Sequence, residues 1–285
     1  MNLGFNTYVY EVAGWPIEKT LKSAGELGFR FTEYAACGSG DPTKMSASKR
    51  KGVLRLNADL GLYSSQVLLA EVEHMAHPDP IVRTEVLEYM KRVSEFQLEM
   101  GGRQVIVCWG CGVHRAEMSP EVAWRNSVES IRSLAEWGEK AGLIVDMEVE
   151  PHTYFIVNSS DKAARMVEDV GMENVYVNLD VGHFTINREG PERIRKICTR
   201  IDHIHLSETQ GYDHTNSIIG TGTVEFVPYV EKAIELGIEQ NCEKLGVPCV
   251  AGLEMGEPRY PVDDPARWMK EALGHARRIL PNVSQ

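Results

Sequence analysis

The sequence predicts a single α/β domain, a (β/α)8 TIM barrel spanning residues 1–285. Three observations lead there. Short apolar runs of strand character alternate with longer stretches of helical periodicity, which argues a parallel sheet. Eight such units fill 285 residues with no change of composition between them, which suits a closed barrel better than an open sheet. The chemistry-bearing residues of the second half stand at the C-terminal ends of the strand-like runs, where barrels of this kind carry their active sites.

The first strand is expected over 3–10. Pro16 opens a helix whose apolar stripe is Ile17, Leu21, Ala24 and Leu27, and Gly28 stops it. A second strand over 29–36 ends near Glu33, and a helix follows over 45–60. Strand three covers 62–69, and a long helix covers 80–100 before Gly101-Gly102. Strand four covers 104–109; Ser119 caps the next helix, which runs to Ala141-Gly142. Strand five, from Ile144 onward, should end at Pro151, which has no N–H to give to a ladder. A helix capped by Ser159 or Ser160 ends near Gly171, and strand six covers 175–180. Then come a helix over 191–200, strand seven over 201–206, a helix over 224–237, strand eight over 248–254 and a last helix over 265–279.

Bulk composition narrows the function. The chain carries 41 acidic against 30 basic residues, a net charge of -11 that repels phosphate backbones and argues against nucleic acid as a partner. No apolar run is long enough to span a bilayer, so no membrane partner is expected. The start of the chain has no charged head followed by an apolar run, and the six cysteines are scattered, so a cytoplasmic protein with reduced thiols is expected.

Four strand ends close on a metal-type ligand: Glu150, Asp180, His205 and Glu254. Three carboxylates and an imidazole suit a borderline-hard divalent ion such as Mn2+, Mg2+ or Co2+. With open positions left for substrate oxygens, such an ion could polarise a carbonyl while carboxylates move a proton at the adjacent carbon. Glu148 shares a strand face with Glu150 and, one layer deeper, reads as a hydrogen-bonded core acid. His203 reads as a core histidine and Glu33 as structural. His152, His114 and His214 lie on active-side loops and are candidates to touch substrate; Trp15 and Trp109 are candidate pocket walls, because indoles stack on the C–H faces of sugars. Cys108-Trp109-Gly110-Cys111 lacks the helix of a redox C-x-x-C and reads as a loop. Gly220-Thr221-Gly222 has no Lys or Arg beside it and reads as a plain turn, in keeping with a non-phosphorylated substrate.

Glu150-Pro151-His152, Asp180-Val181-Gly182-His183, His203-Ile204-His205-Leu206-Ser207-Glu208, Gly220-Thr221-Gly222-Thr223-Val224-Glu225-Phe226 and Leu253-Glu254 together resemble the sugar isomerase/epimerase family with a xylose-isomerase-like barrel. The resemblance covers most of the chain, with its motifs after residue 143. It implies one divalent ion, often Mn2+, with Zn2+ also admissible, on Glu150, Asp180, His205 and Glu254. It implies that Glu150 and Glu254 transfer protons on opposite faces of a small sugar or polyol, and that His183 touches substrate oxygens. A homo-oligomer is the assembly it implies. Three departures stand out: the ketose 3-epimerases carry an Arg shortly after the strand-seven His, where this chain has Gly211-Tyr212-Asp213-His214; Glu208 replaces their Asp; and the segment between His205 and Glu254 is longer than the resemblance leads one to expect. Three outcomes stay open on this reading: epimerisation or isomerisation of a ketose or keto-sugar, elimination from a keto-polyol or 3-oxo-glycoside, and, disfavoured by the charge, DNA repair in the manner of endonuclease IV.

Overall fold

The computed structural model describes residues 1–280 and Val283. β1 (Asn2–Asn6), β2 (Phe31–Ala35), β3 (Tyr63–Leu69), β4 (Gln104–Val107), β5 (Ile144–Glu148), β6 (Val175–Asp180) and β7 (Ile201–Gln210) pair in parallel in chain order. β8 (Asp213–Ser217) folds back antiparallel on the end of β7, and β9 (Val250–Glu254) pairs with both β7 and β1, closing a ring of eight parallel strands. The ring is the expected (β/α)8 barrel.

Helices α1 (Tyr8–Val12), α2 (Ile17–Glu26), α3 (Ala47–Asp59), α4 (Pro80–Glu99), α5 (Pro120–Gly138), α6 (Ser160–Val170), α7 (Val181–Ile186), α8 (Phe226–Glu235), α9 (Ile238–Leu245) and α10 (Pro265–Ile279) cover the outside. Among the described residues none is long and apolar enough to cross a membrane. Side-chain caps set several starts: Ser46, Asp79, Ser119, Ser159 and Asp264 each accept a backbone N–H of the first turn.

The structure corrects the expected elements where a side chain bends the chain. Strand one stops at Asn6, because the Asn6 amide oxygen accepts from the Tyr8 N–H at 2.9 Å and starts α1. β4 ends at Val107, and Trp109 turns into the left-handed region at φ 58°. β5 ends at Glu148, its last partner being Asn178 on β6, so Pro151 lies beyond the strand. Residues 191–200 form two 3-10 turns, interrupted at Ile197 with φ -122° and ψ 2°. The length between β7 and β9 is spent on β8 and α9.

Polar side chains fill the barrel interior, and they do so in pairs. His203 Nε2–H donates to Glu33 Oε1 at 2.7 Å, and Asn6 Nδ2 donates to Glu33 Oε2 at 2.9 Å. Gln66 Nε2 donates to Asp146 Oδ2 at 2.7 Å. Glycine makes the room: a Cβ on Gly252 would lie 1.8 Å from Glu33 Oε1. The Gly220-Thr221-Gly222 turn is occupied from within, since Glu208 Oε2 accepts from Gly220 N at 2.8 Å and Oε1 accepts from Val224 N at 3.0 Å. All six cysteines are free thiols.

Two outcomes follow from this packing. Gly252→Ala pushes a methyl into the buried, ion-paired Glu33 and should lower unfolding stability by about 3 kcal/mol; an unchanged urea midpoint would contradict that packing. On α1, half-buried Glu11 accepts from Ser39 N at 2.8 Å, and burial pushes its carboxyl from 4.5 up to about 7. The folded chain then holds a proton that the unfolded chain releases. The stabilisation is full below 4.5 and is lost as pH rises through about 7. Urea titrations of wild type against Glu11→Gln should show the wild type losing ground across that window and a constant difference above it.

Candidate metal centre

Four consecutive strands of the ring, β5, β6, β7 and β9, build the floor of the barrel mouth. Glu148, Asp180 and Glu254 are the last residues of β5, β6 and β9, and His205 lies opposite Asp180 on β7. Each offers one ligand atom within 4.8 Å of the others, and all four are buried, so the group could hold a metal ion.

Neighbours fix each ligand. His205 Nε2–H donates to the Gln66 Oε1 oxygen at 3.2 Å, which turns Nδ1 toward Glu148 Oε1 at 3.1 Å and Glu254 Oε2 at 2.8 Å. Asn178 Nδ2 donates to Glu148 Oε1 at 3.0 Å. Asp180 Oδ1 accepts from Ser207 Oγ at 2.6 Å and from His183 N at 2.7 Å, the second bond capping α7. The buried Asp180 Oδ2 has no hydrogen-bond partner. Buried, unpartnered carboxylate oxygens are what a cation site leaves for the cation.

The charges agree. Burial, and then the charge of Glu254, pushes Asp180 up to about 7; burial also raises Glu148. Burial works against ionisation of Glu254 too, but the His205 imidazolium outweighs it and holds the carboxyl at about 2. Burial alone would lower His205; Glu254 and Glu33 overcome it and raise it well above the usual range. Three crowded carboxylates thus share one protonated ring, and a divalent ion would take over that task.

Glu150 is not in this group. The sequence put it at the rim because Pro151 marks the strand end; the ladder ends earlier, and Glu148 takes the rim position. Glu150 Oε1 instead accepts from Trp109 N at 2.8 Å, and burial followed by the charge of Glu148 raises its carboxyl well above the usual range. It lines the cavity of about 470 Å³ that opens above the group.

His152, His183, His214 and Trp109 line the same cavity. His183 Nδ1–H donates to the Val149 carbonyl at 3.0 Å, so its Nε2 is left to accept from His214 Nε2–H, also at 3.0 Å. Burial lowers His183; burial and then the His183 neighbour bring His214 to about 3, so this pair is held neutral. Two expected residues are elsewhere. α1 follows β1 directly and carries the chain away from the mouth, so Trp15 packs edge-on against Tyr10 beneath Lys19. His114 is outside the lining; its backbone N–H donates to Tyr154 O at 2.7 Å. Reading by motif missed Tyr8, Cys37, Asn216, Glu257 and Arg259, all in the lining. Arg259 brings a guanidinium to the mouth from the loop after β9, donating to His214 O and Glu257 Oε1 at 3.1 Å each. A search for charged side chains shortly after each strand end would have found it. Glu33 and His203 form a second candidate group with His205, but their own hydrogen bond joins them into a structural pair.

A closed parallel barrel with carboxylates and an imidazole at its strand ends defines a class of barrels with a candidate metal site. Within it, this chain belongs to the family described as xylose isomerase-like TIM barrel, whose model matches residues 21–278. The L-ribulose 3-epimerase of Mesorhizobium japonicum is 24% identical over 242 residues, covering 82% of this chain and 77% of that protein. The fructoselysine 3-epimerase of Escherichia coli O157:H7 is 23% identical and covers 93% of this chain and 94% of its own length. The crystal structure of the IolI protein with a bound zinc atom superposes with a TM-score of 0.80 over 99% of both chains at 16% identity, a likeness of fold.

The geometry separates two neighbouring glutamates by experiment. In Mn2+ titrations read by electron paramagnetic resonance, Glu148→Gln and His205→Asn should each weaken binding by more than about 100-fold, while Glu150→Gln should bind within a few-fold of wild type. Loss of Mn2+ on Glu150→Gln alone would restore Glu150 as the ligand.

Proposed function

We propose that this protein is a divalent-metal-dependent sugar epimerase or isomerase acting next to the carbonyl of a non-phosphorylated ketose or keto-sugar. The observation that carries the reading is the group Glu148, Asp180, His205 and Glu254 at the floor of the cavity. Those residues would hold the ion, Mn2+ being the first choice for a carboxylate-rich O/N set. When bound, the ion supplies Lewis-acid polarisation of the substrate's carbonyl.

The remaining work falls to side chains. Glu148 and Glu254 approach His205 Nδ1 from two strands, β5 and β9. One carboxylate takes the proton from the carbon beside the carbonyl, and the other returns a proton to the opposite face. This replaces Glu150 by Glu148 in the expected catalytic pair. Glu150 then shapes the cavity through Trp109. The neutral His183–His214 pair, with both ring N–H groups already given to Val149 O and His183 Nε2, offers the sugar hydroxyls one fixed acceptor, His214 Nδ1, where the ketose 3-epimerases carry an Arg. His152 and Trp109 complete the substrate wall.

One feature favours elimination as the second reading. A neutral imidazole pair with one free ring nitrogen, His214 Nδ1, can take up a proton at the cavity wall, which a permanently charged guanidinium does not do.

Incubation of the Mn2+-loaded protein with ketoses and keto-sugars in D2O, followed by NMR, tests both. Deuterium should enter at a carbon adjacent to the carbonyl with the skeleton intact, and EDTA should abolish the exchange. Loss of a substituent with a new enone absorbance would move the protein to the lyases. Exchange that persists with EDTA would remove the metal from the reaction.

A further inference from the structure

The cavity mouth carries fixed aromatic surface that the metal floor does not explain. Trp109, Phe155, Tyr154 and His152 line one wall. Their rings form a run: Trp109 to Phe155 at 6.1 Å, Phe155 to Tyr154 at 4.3 Å, and Tyr154 to His152 at 5.4 Å and 21°. Phe155 is buried and belongs to the packing, whereas Trp109 is 40% and Tyr154 50% exposed. Trp109 and Tyr154 each pack on Phe155 and leave the rest of the ring exposed along the cavity.

They are held firmly. Trp109 sits at φ 58°, a strained conformation for a bulky residue that persists only where its surroundings enforce it. The enforcement comes from two loops laced together: Val157 N donates to Gly110 O at 2.8 Å, Ile156 N to Gly112 O at 3.0 Å and His114 N to Tyr154 O at 2.7 Å. The indole N–H is itself tied to Ala70 O at 2.7 Å, which sets the ring's tilt. The strained turn leaves two fifths of the indole exposed at the cavity and fixes it there. The cavity's 470 Å³ falls within the range of roughly 300–1,000 Å³ found for pockets that enclose drug-sized ligands.

We infer that the mouth is a subsite for a flat aromatic group carried on the sugar, stacked against Trp109 and Tyr154 while the sugar reaches the floor. The substrate class is then an aryl-substituted sugar. The inference rests on the sugar reading for the floor only; the aromatic wall is independent of the reaction.

The test is a binding comparison on the full, Mn2+-loaded chain, with phenyl β-D-glucopyranoside and methyl β-D-glucopyranoside as probes. The phenyl compound should bind at least tenfold more tightly, with its ring protons receiving the strongest saturation transfer in NMR. Trp109→Ala and Tyr154→Ala, each checked for an unchanged melting temperature, should lower that preference several-fold. Equal affinity for the two probes, or a preference that survives in both variants, overturns the subsite. So does a wild-type oligomer in sedimentation that Trp109→Ala dissociates, since the rings would then belong to a contact between copies. His205→Asn should keep the phenyl preference. A kept preference without metal-dependent exchange would sink the enzymatic reading and leave the subsite standing; exchange without preference would do the reverse.

Discussion

Charge pairing inside the barrel is the constraint on which the rest depends. An ionised side chain taken out of water costs several kcal/mol unless it is matched. This barrel takes many out at once. Glu33 is hydrogen-bonded by His203, Asp146 by Gln66, and Gln66 gives its oxygen to His205. The chain of partners therefore runs from the middle of the barrel to the metal floor, and the orientation of His205 is inherited from residues that touch no ligand. Gly4 and Gly252 belong to the same arrangement, because side chains there would collide with Glu33. Shared partners of this kind tie the strands to one arrangement.

Much of the barrel was legible in the sequence, since strand-like runs and helical stripes alternate without interruption. Asp180 and Glu254 were legible for a simple reason: each ends an apolar run and a strand. Glu148 and Glu150 were not separable in that way. They point to the same face, and only the ladder's last partner, Asn178, decides which one stands at the rim. Pro151 drew the boundary too late. The short helices α1 and α7 were hidden because they start from caps by Asn6 and Asp180, polar residues that a period-2 pattern counts as part of the strand. Arg259 escaped because the search for a cation stayed near His205 in sequence, while the cation comes in from the next strand end in space.

Rigidity and openness are divided between the two sides of the mouth. The loops after β4 and β5 are joined by backbone hydrogen bonds, and Glu150 fastens one to the other through Trp109. On the other side, Arg259 and Glu257 meet His214 across the β7–β8 hairpin by side-chain contacts, which rearrange more easily than a backbone ladder. Shape is set on the first side, and adjustment is available on the second.

The turn closed by Glu208 also has a consequence for the backbone amides at that end of the ring. Loops after the seventh and eighth barrel strands are a frequent anchorage for phosphate, through backbone amides left free to receive it. Here the Gly220 and Val224 amides already serve a carboxylate of the chain itself. Gly220 and Thr221 also border a second pocket lined by Arg267, Lys270 and Arg278, so the resident carboxylate, not a lack of positive charge nearby, is what keeps these amides for the chain itself.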